Sequence, residues 1–504
     1  MSRPPHMKSF ARDFAMEFGL LIFLGLLVAL AMVPVLKLDA VRQLDLSFGD
    51  LLMRQLVHRD VADPKRNGLR FVFVNVDEES CADWAKEKKA SCSASLTIPR
   101  DKLAAIANAV SQSAQRGGDK PKLVVFDFEL SPLPAPADGA DASLCGAIVR
   151  LSRHVPVEGI RPLSVGLSAT GLDIDNRPSI LDRGIEGHGG CAGETSANIW
   201  LGSSLVESDS DGAVRSVDAW DMARTDDGHT VAVPSLGLLG AALLDESPNS
   251  SSNRVALGCI FLRAGPSPCP SRELRFGDRR YDLAAPPRLP NRIQFLVPYG
   301  KSGQRGIENY GYTPSVVESV EAAGFASRLA DEPHLLLGAV VVVGDSYAAS
   351  GDLYRTPLNL QFPGAMIHAN AINAYATGRL IEEQHGWGIE LVLIACAAFA
   401  RALSNAAGHR AVDHLSWPLN DVVQMLIALA GVAAAITVVY LIAGIIAFDK
   451  LEKGNTLIGV ITPACFVALE GFCTILHDIR QFIHPAGRHL MLALKRKPQT
   501  PEKH

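Results

Sequence analysis

Five carboxylates occupy positions where chemistry could begin. Asp77 and Glu78 follow the β-rich run Leu69–Val76, Asp127 lies near the end of Leu123–Phe128, and Asp345 and Asp352 flank the loop after Val340–Val343. If these three strands are neighbours, their carboxylates converge at one edge. Carboxylate clusters suit hard cations, and strand ends are where open α/β sheets take polar ligands. Ser346 and Thr356 share the loop 345–356 and complete the candidate set. The competing reading is local: acidic residues cap helices and turns and stay solvated.

Other chemistries find less support. Ser346 lies in Gly-Asp-Ser-Tyr-Ala, which is not the Gly-x-Ser-x-Gly of a hydrolase elbow. There is no P-loop, and neither a C-x-x-C pair nor a histidine cluster suggests zinc. No enzyme activity and no cofactor are expected. Asp209, Asp211 and Gly212 have part of a calcium-loop pattern but lack its closing glutamate, so a hairpin turn is the better reading. Arg215 is placed to pair with Asp209 across that turn, which contributes little if exposed. His368 and Asn370 are two apart and, on a helix, point about 200° apart. One of them is expected to be buried, with His368 a satisfied core histidine.

Periodicity supplies the elements that must hold these groups. Val340–Val343 is a buried strand, Ser350-Gly351-Asp352 a polar loop, and Met366, Ile367, Ala371 and Ile372 have helical spacing after Pro363-Gly364. Leu69–Val76, a helix opened by Pro99-Arg100-Asp101 with Leu103, Ile106, Ala107 and Val110 buried, and Leu123–Phe128 form a β-α-β unit, so its strands should be parallel. Residues 199–206 and 213–220 are expected as a hairpin, 144–154 as a helix, 233–245 as a helix capped by Ser235, and 314–329 as a helix. Residues 82–96 are expected to loop.

The chain has 504 residues, net charge −5 and 48% hydrophobic residues. Nothing in that balance points to nucleic acid. Apolar residues pile up at both ends, and about 20 are needed to cross the hydrocarbon. The expected organisation is a cytoplasmic segment 1–17, transmembrane helices at 18–37, 387–403, 422–448 and 456–476, and a cytoplasmic loop 404–421 and tail 477–504. Arginines and lysines before the first span, after the second and after the fourth orient residues 38–386 outside the cytoplasm. A cleaved signal peptide ending near Ala29-Leu30-Ala31 places that block on the same side. Glu470 is an intramembrane carboxylate that needs a polar neighbour or a headgroup.

The block 38–386 holds Cys81, Cys92, Cys145, Cys191, Cys259 and Cys269, an even number that suggests disulfides in an exported region. Proximity favours Cys81–Cys92 and Cys259–Cys269, which leaves Cys145–Cys191; free buried thiols are the alternative. The fold class expected is an α/β extracytoplasmic domain, its mixed β-sheet flanked by helices, plus a four-helix transmembrane region.

This layout resembles the CHASE2 extracellular sensor domains of bacterial signalling receptors. The resemblance is carried by VNVDEES (74–80), KLVVFDFELS (122–131), SDSDGAVRSV (208–217) and the stretch from Val340 to Gly378 that includes His-Ala-Asn. Departures include Gly344-Asp345-Ser346 in place of the family's usual Gly-Ala-Thr or Gly-Ser. Residues 477–504 are too few for the kinase or cyclase that usually follows. The resemblance implies a multi-pass protein of the bacterial inner membrane that senses a ligand or stress in the periplasm and signals through a separate protein. The expected partners are the lipid bilayer, an extracytoplasmic ligand, that output protein and a second copy in a homodimer. The alternative is an envelope assembly protein whose outer domain is a scaffold.

Overall fold

The computed structural model describes residues 69–87, 98–116, 120–132, 139–168, 198–224, 230–246, 291–297 and 317–384 almost throughout. It adds 46–55 and shorter stretches, including Cys92, 171–181, 251–256, 273–282, 444–449 and 456–458. The chain divides into two compact units, Asp50–Glu382 and the pair of segments Met1–Gly49 and Glu383–His504.

The first unit is built on a parallel sheet of six strands: β1 (Phe71–Val76), β2 (Leu123–Phe126), β3 (Val157–Ile160), β4 (Ile199–Gly202), β5 (Val317–Glu321) and β6 (Val340–Asp345), in the spatial order β5-β1-β6-β2-β3-β4. Valine and phenylalanine fill β1, β2 and β6 because a parallel sheet is covered on both faces. Val72, Val74, Val76, Val124, Phe126, Val341 and Val343 look to one side. There they meet α2 (Arg100–Gln115) and α3 (Ala140–Ser152) through Leu103, Ile106, Val110, Leu144, Ile148 and Leu151. The opposite face, which carries Phe73, Gly344 and Asp127, is covered by α4 (Leu236–Leu244) and α6 (Gly364–Ala376). Ser235 caps α4, its side chain accepting from the Leu238 N–H.

The expected β-α-β unit is present, and β1 and β2 are parallel but not adjacent. The last strand, β6, lies between them, with Phe71 to Val76 in register with Val340 to Asp345 and Leu123 to Phe126 with Val340 to Val343. The mixed sheet is a separate one of four strands, in the order 163–168, 171–176, 220–224, 230–234.

Several expectations are corrected. Residues 82–96 are not all loop, since α1 (Glu78–Glu87) runs into them. Residues 314–329 are not one helix: the β-branched Val317 and Val320 sit in β5, and α5 (Phe325–Asp331) follows. The hairpin across 207–212 is absent, because Ile199–Gly202 joins the parallel sheet while Ser216–Val217 pairs with Asn291–Arg292.

The fold class is corrected as well. Among the described residues no helix is long and apolar enough to cross a membrane, so the described structure is an α/β protein without the four-helix transmembrane region. In the second unit, residues 444–446 and 448–449 are helical. Thr456–Ile458, at the start of the expected fourth span, is a strand, in keeping with two β-branched residues out of three. The segments 18–37 and 387–403, the rest of 422–448 and 456–476, and Glu470 lie outside the described residues.

Candidate functional site

The carboxyl ends of β1, β6 and β2 are brought side by side by the strand order, as the spacing of the acidic residues required. Helix α6 arrives on this corner with its first residue, Gly364. Asp352 accepts the Gly364 N–H with Oδ2 at 3.0 Å and so caps the helix from a distance of twelve residues. A Cβ on Gly364 would stand 2.5 Å from that carboxylate. The next residue, Ala365, lies against Gly344, whose own Cβ would in turn stand 3.6 Å from that of Asp127. Two residues without side chains thus let helix and sheet close until Asp127, Asp345 and Asp352 share one electrostatic environment.

That environment favours neutral carboxyls. Burial pushes Asp127 well above the ordinary carboxylate range, and Asp352 and Asp345 push it further. Burial and Asp345 lift Asp352 to about 7, against the opposing bonds from Gly364 and Tyr354. Burial raises Asp345, with a bond from Ser350 in opposition. Tyr354 is carried to about 12 by burial and by Asp352.

Two members of the corner are not evident from strand-end spacing. His368 on α6 is 2% exposed and aims Nε2 at Asp127 Oδ1 from 3.8 Å, while its Nδ1 has no hydrogen-bond partner. Burial lowers it to about 4, so it is a neutral imidazole at physiological pH. It is buried as expected but not satisfied. Glu158 on β3 is fully buried, and neither carboxylate oxygen has a partner. Burial, then Asp127, pushes its pKa well up. Asn370, expected on the other side of the helix, is buried too: it bonds both polar groups of the Val297 backbone and fixes α6 in place.

The remaining expected residues separate by role. Ser346 belongs to the corner, 4% exposed and with an unpartnered Oγ. Asp77 does not, since it caps α1 by accepting the Ser80 N–H. Glu78 is exposed and receives the Ala348 N–H at 3.2 Å, which props the loop after β6. Thr356 is buried and closes a turn on the Leu360 carbonyl through both its N–H and its hydroxyl.

Arg215 departs furthest from expectation. It is 2% exposed and bonds Asp50, Asp209 and Asp211, with two contacts each to Asp50 and Asp211 at 2.7–2.8 Å. Burial pulls the guanidinium down, and the bonds to Asp211, Asp50 and Asp209 outweigh it and hold it above its ordinary value. Asp211 is held at about 2 by its bond to Arg215. This is a paired charge cluster, not an exposed hairpin pair. The segment after the turn also touches the acidic corner, because Val214 donates to the Arg355 carbonyl just beyond Asp352. Asp50 belongs to the helical residues 50–55, where Arg54 also bonds the Pro357 carbonyl.

Cys81–Cys92 is a disulfide, as proximity suggested. Cys145 is also disulfide-bonded, while Cys191, Cys259 and Cys269 lie outside the described residues. Among the described residues no group of three His, Cys, Asp or Glu is placed to hold a metal ion.

No curated protein matches the chain. No solved structure matches it either. The model of the CHASE2 domain family matches residues 24–403, most of the chain and all of the sheet described above. With that match added to the parallel sheet and its acidic corner, the chain belongs to the CHASE2 family of extracellular sensory domains.

Proposed function

We propose that this protein is a signal-transduction sensor of the bacterial inner membrane, with Asp50–Glu382 on the periplasmic side. It takes a small polar ligand at the carboxyl ends of β1, β6 and β2, and passes the result to a separate protein. It acts by binding, not by turnover. The observation that carries the reading is the corner at the start of α6, where Asp127, Ser346 and His368 are buried beside the half-buried Asp345 and Asp352, and where Asp345 Oδ1, Ser346 Oγ and His368 Nδ1 have no hydrogen-bond partner. A domain that served only as a scaffold has no need of so many polar groups left without partners. The Cys81–Cys92 disulfide supports an oxidising compartment.

The route out of the corner is short. Ligand contact with Asp352 moves the strand 353–355, whose Arg355 carbonyl holds Val214 beside Arg215. Arg215 grips Asp50. A shift of the loop is thereby felt at residues 50–55. Such transfer needs two states that differ in ligand affinity. Thermal unfolding of the purified full chain across a panel of amines, organic acids, sugars and metal salts tests this, with hydrogen exchange read at 50–55. A ligand that raises the midpoint and alters exchange there supports the sensor. A flat panel, together with stable capture of an envelope protein, favours the scaffold and sinks it.

A further inference from the structure

The partnerless oxygens at this corner, one on each of three neighbouring residues, share a chemical character. Asn75 Oδ1, Asp345 Oδ1 and Ser346 Oγ are all acceptors, although the serine can also donate. Asn75 and Gly344 are cross-strand partners, and Ser346 donates its own N–H to the Val76 carbonyl, so the three residues are neighbours at the ends of β1 and β6. The Asp127 carboxylate faces His368, a neutral ring beyond hydrogen-bond reach. The charged groups acting on Asp127 and Asp352 are neighbouring carboxylates, the bonds from Ser350, Gly364 and Tyr354 are neutral, and among the described residues no lysine or arginine pairs with Asp127, Asp345 or Asp352. The corner has unpartnered acceptors and three carboxyls that share no cation, and what it lacks is a donor that brings positive charge.

A helix N-terminus ordinarily draws an anion, but Asp352 already occupies that of α6. A bare divalent ion needs oxygens at about 2.3–2.6 Å around one point, and among the described residues no three His, Cys, Asp or Glu side chains are so placed. An ammonium group donates along separate N–H bonds to acceptors about 2.8 Å away and tolerates a wider spread of carboxylates. The geometry points to a small organic ammonium ion, such as an aliphatic primary amine or diamine, as the ligand of the corner formed by Asp127, Asp345, Asp352 and the buried His368. This deepens the sensor reading and rests on it.

Binding is linked to protons. The titratable groups facing the ligand are Asp127 on β2, Asp345 on β6, Asp352 in the loop, Tyr347 and Tyr354 beside them, His368 on α6 and Glu158 on β3, while α4 brings only apolar residues. An ammonium ion must ionise Asp352, so the complex releases protons near neutrality and tightens as pH rises from 6 to 8, about the value to which Asp352 is lifted.

The test is calorimetric titration of the full chain with 1,4-diaminobutane at matched ionic strength. Calcium chloride and sodium succinate serve as parallel arms, in buffers of differing ionisation heat. Expected are saturable binding of the diamine with proton release, and about tenfold or greater weakening in Asp345→Asn and in Asp352→Asn. Asp345→Asn leaves the cap of α6 intact, and its unfolding midpoint reports whether it is folded. Binding of succinate but not of the diamine overturns the ammonium class and leaves the sensor standing. Calcium binding of equal strength that the two variants abolish overturns it in favour of a metal. Diamine binding that both folded variants keep places the ligand elsewhere and overturns the site.

Discussion

Replacing Arg215 by methionine removes one cation from three carboxylates and keeps most of the side-chain volume. The three are not equally affected. Asp209 and Asp211 are 21% and 28% exposed and can turn to water, whereas Asp50 is 10% exposed and stays behind as a buried, unpaired charge. Breaking a buried pair in this one-sided way costs about 3–5 kcal/mol. For a unit of this size that corresponds to roughly 6–10 °C in the unfolding midpoint, at about 2 °C per kcal/mol. Asp50→Asn is milder, since Arg215 keeps its other two partners, and should cost about 1–2 kcal/mol. The double variant should recover about 1–3 kcal/mol of the summed loss, because the charge stranded by the first change is removed by the second.

The acid limb gives an independent sign. Asp211 is depressed from 3.8 to about 2, so its contribution is present above pH 3.8 and lost as pH falls through 2. Arg215→Met should abolish that loss. Denaturant melts of the full chain at pH 7 and pH 3 measure all of these quantities. The reasoning fails if Arg215→Met is within about 1 kcal/mol of the parent, or if the two substitutions simply add.

Three further outcomes follow from the packing of the corner. Glu158 is held neutral, so its share of stability is complete below its ordinary value of 4.5 and is lost as pH rises through its raised folded value. Glu158→Gln should therefore flatten the alkaline side of the stability profile and equal or exceed the parent at pH 8, as urea melts from pH 5 to 9 would reveal. Gly344→Ala puts a methyl group into contact with Ala365 and should cost about 1–3 kcal/mol, measured by thermal unfolding, because a helix must move. Gly364→Ala displaces only the Asp352 side chain and should cost about 1 kcal/mol, the worth of a cap, but should weaken any ligand of the corner more than Gly344→Ala weakens it. Removing the Cys81–Cys92 crosslink by double serine substitution should lower stability by about 2–3 kcal/mol, and reductant should reproduce that loss in the parent.

The strands that carry the corner were legible because each is a run of Val and Phe ended by an acidic residue, and a covered parallel strand leaves little room for anything else. Ser235 announced its helix through local chemistry alone. Glu158 was not legible. Its strand is Val-Glu-Gly-Ile, too short for periodicity and with a charge at a position fully buried by helices from elsewhere in the chain. Val317–Glu321 is ambiguous in sequence because Val316, Val317, Val320 and Phe325 also fit helical spacing, and only β1 beside it makes the segment a strand. The burial of Arg215 depends on Asp50, 165 residues away, which no local pattern could connect. Of the candidate site, strand-end chemistry points to Asp127, Asp345, Ser346 and Asp352, Asp77 and Thr356 make local cap and turn bonds, and no local pattern shows that His368 Nδ1 lacks a partner.

The position of β6 has a consequence for biogenesis. It is the last strand of the sheet to leave the ribosome, yet it fills the gap between the first two. Until residue 345 has emerged, the interior edges of Phe71–Val76 and Leu123–Phe126 have nothing to pair with, so the nascent polypeptide carries a cleft of open amides and valines. Closing it joins segments more than 200 residues apart, a slow kind of contact to make. A chain truncated anywhere before Val340 should consequently depend on chaperones or aggregate, and the last forty or so residues of the sheet domain act as the keystone of its assembly.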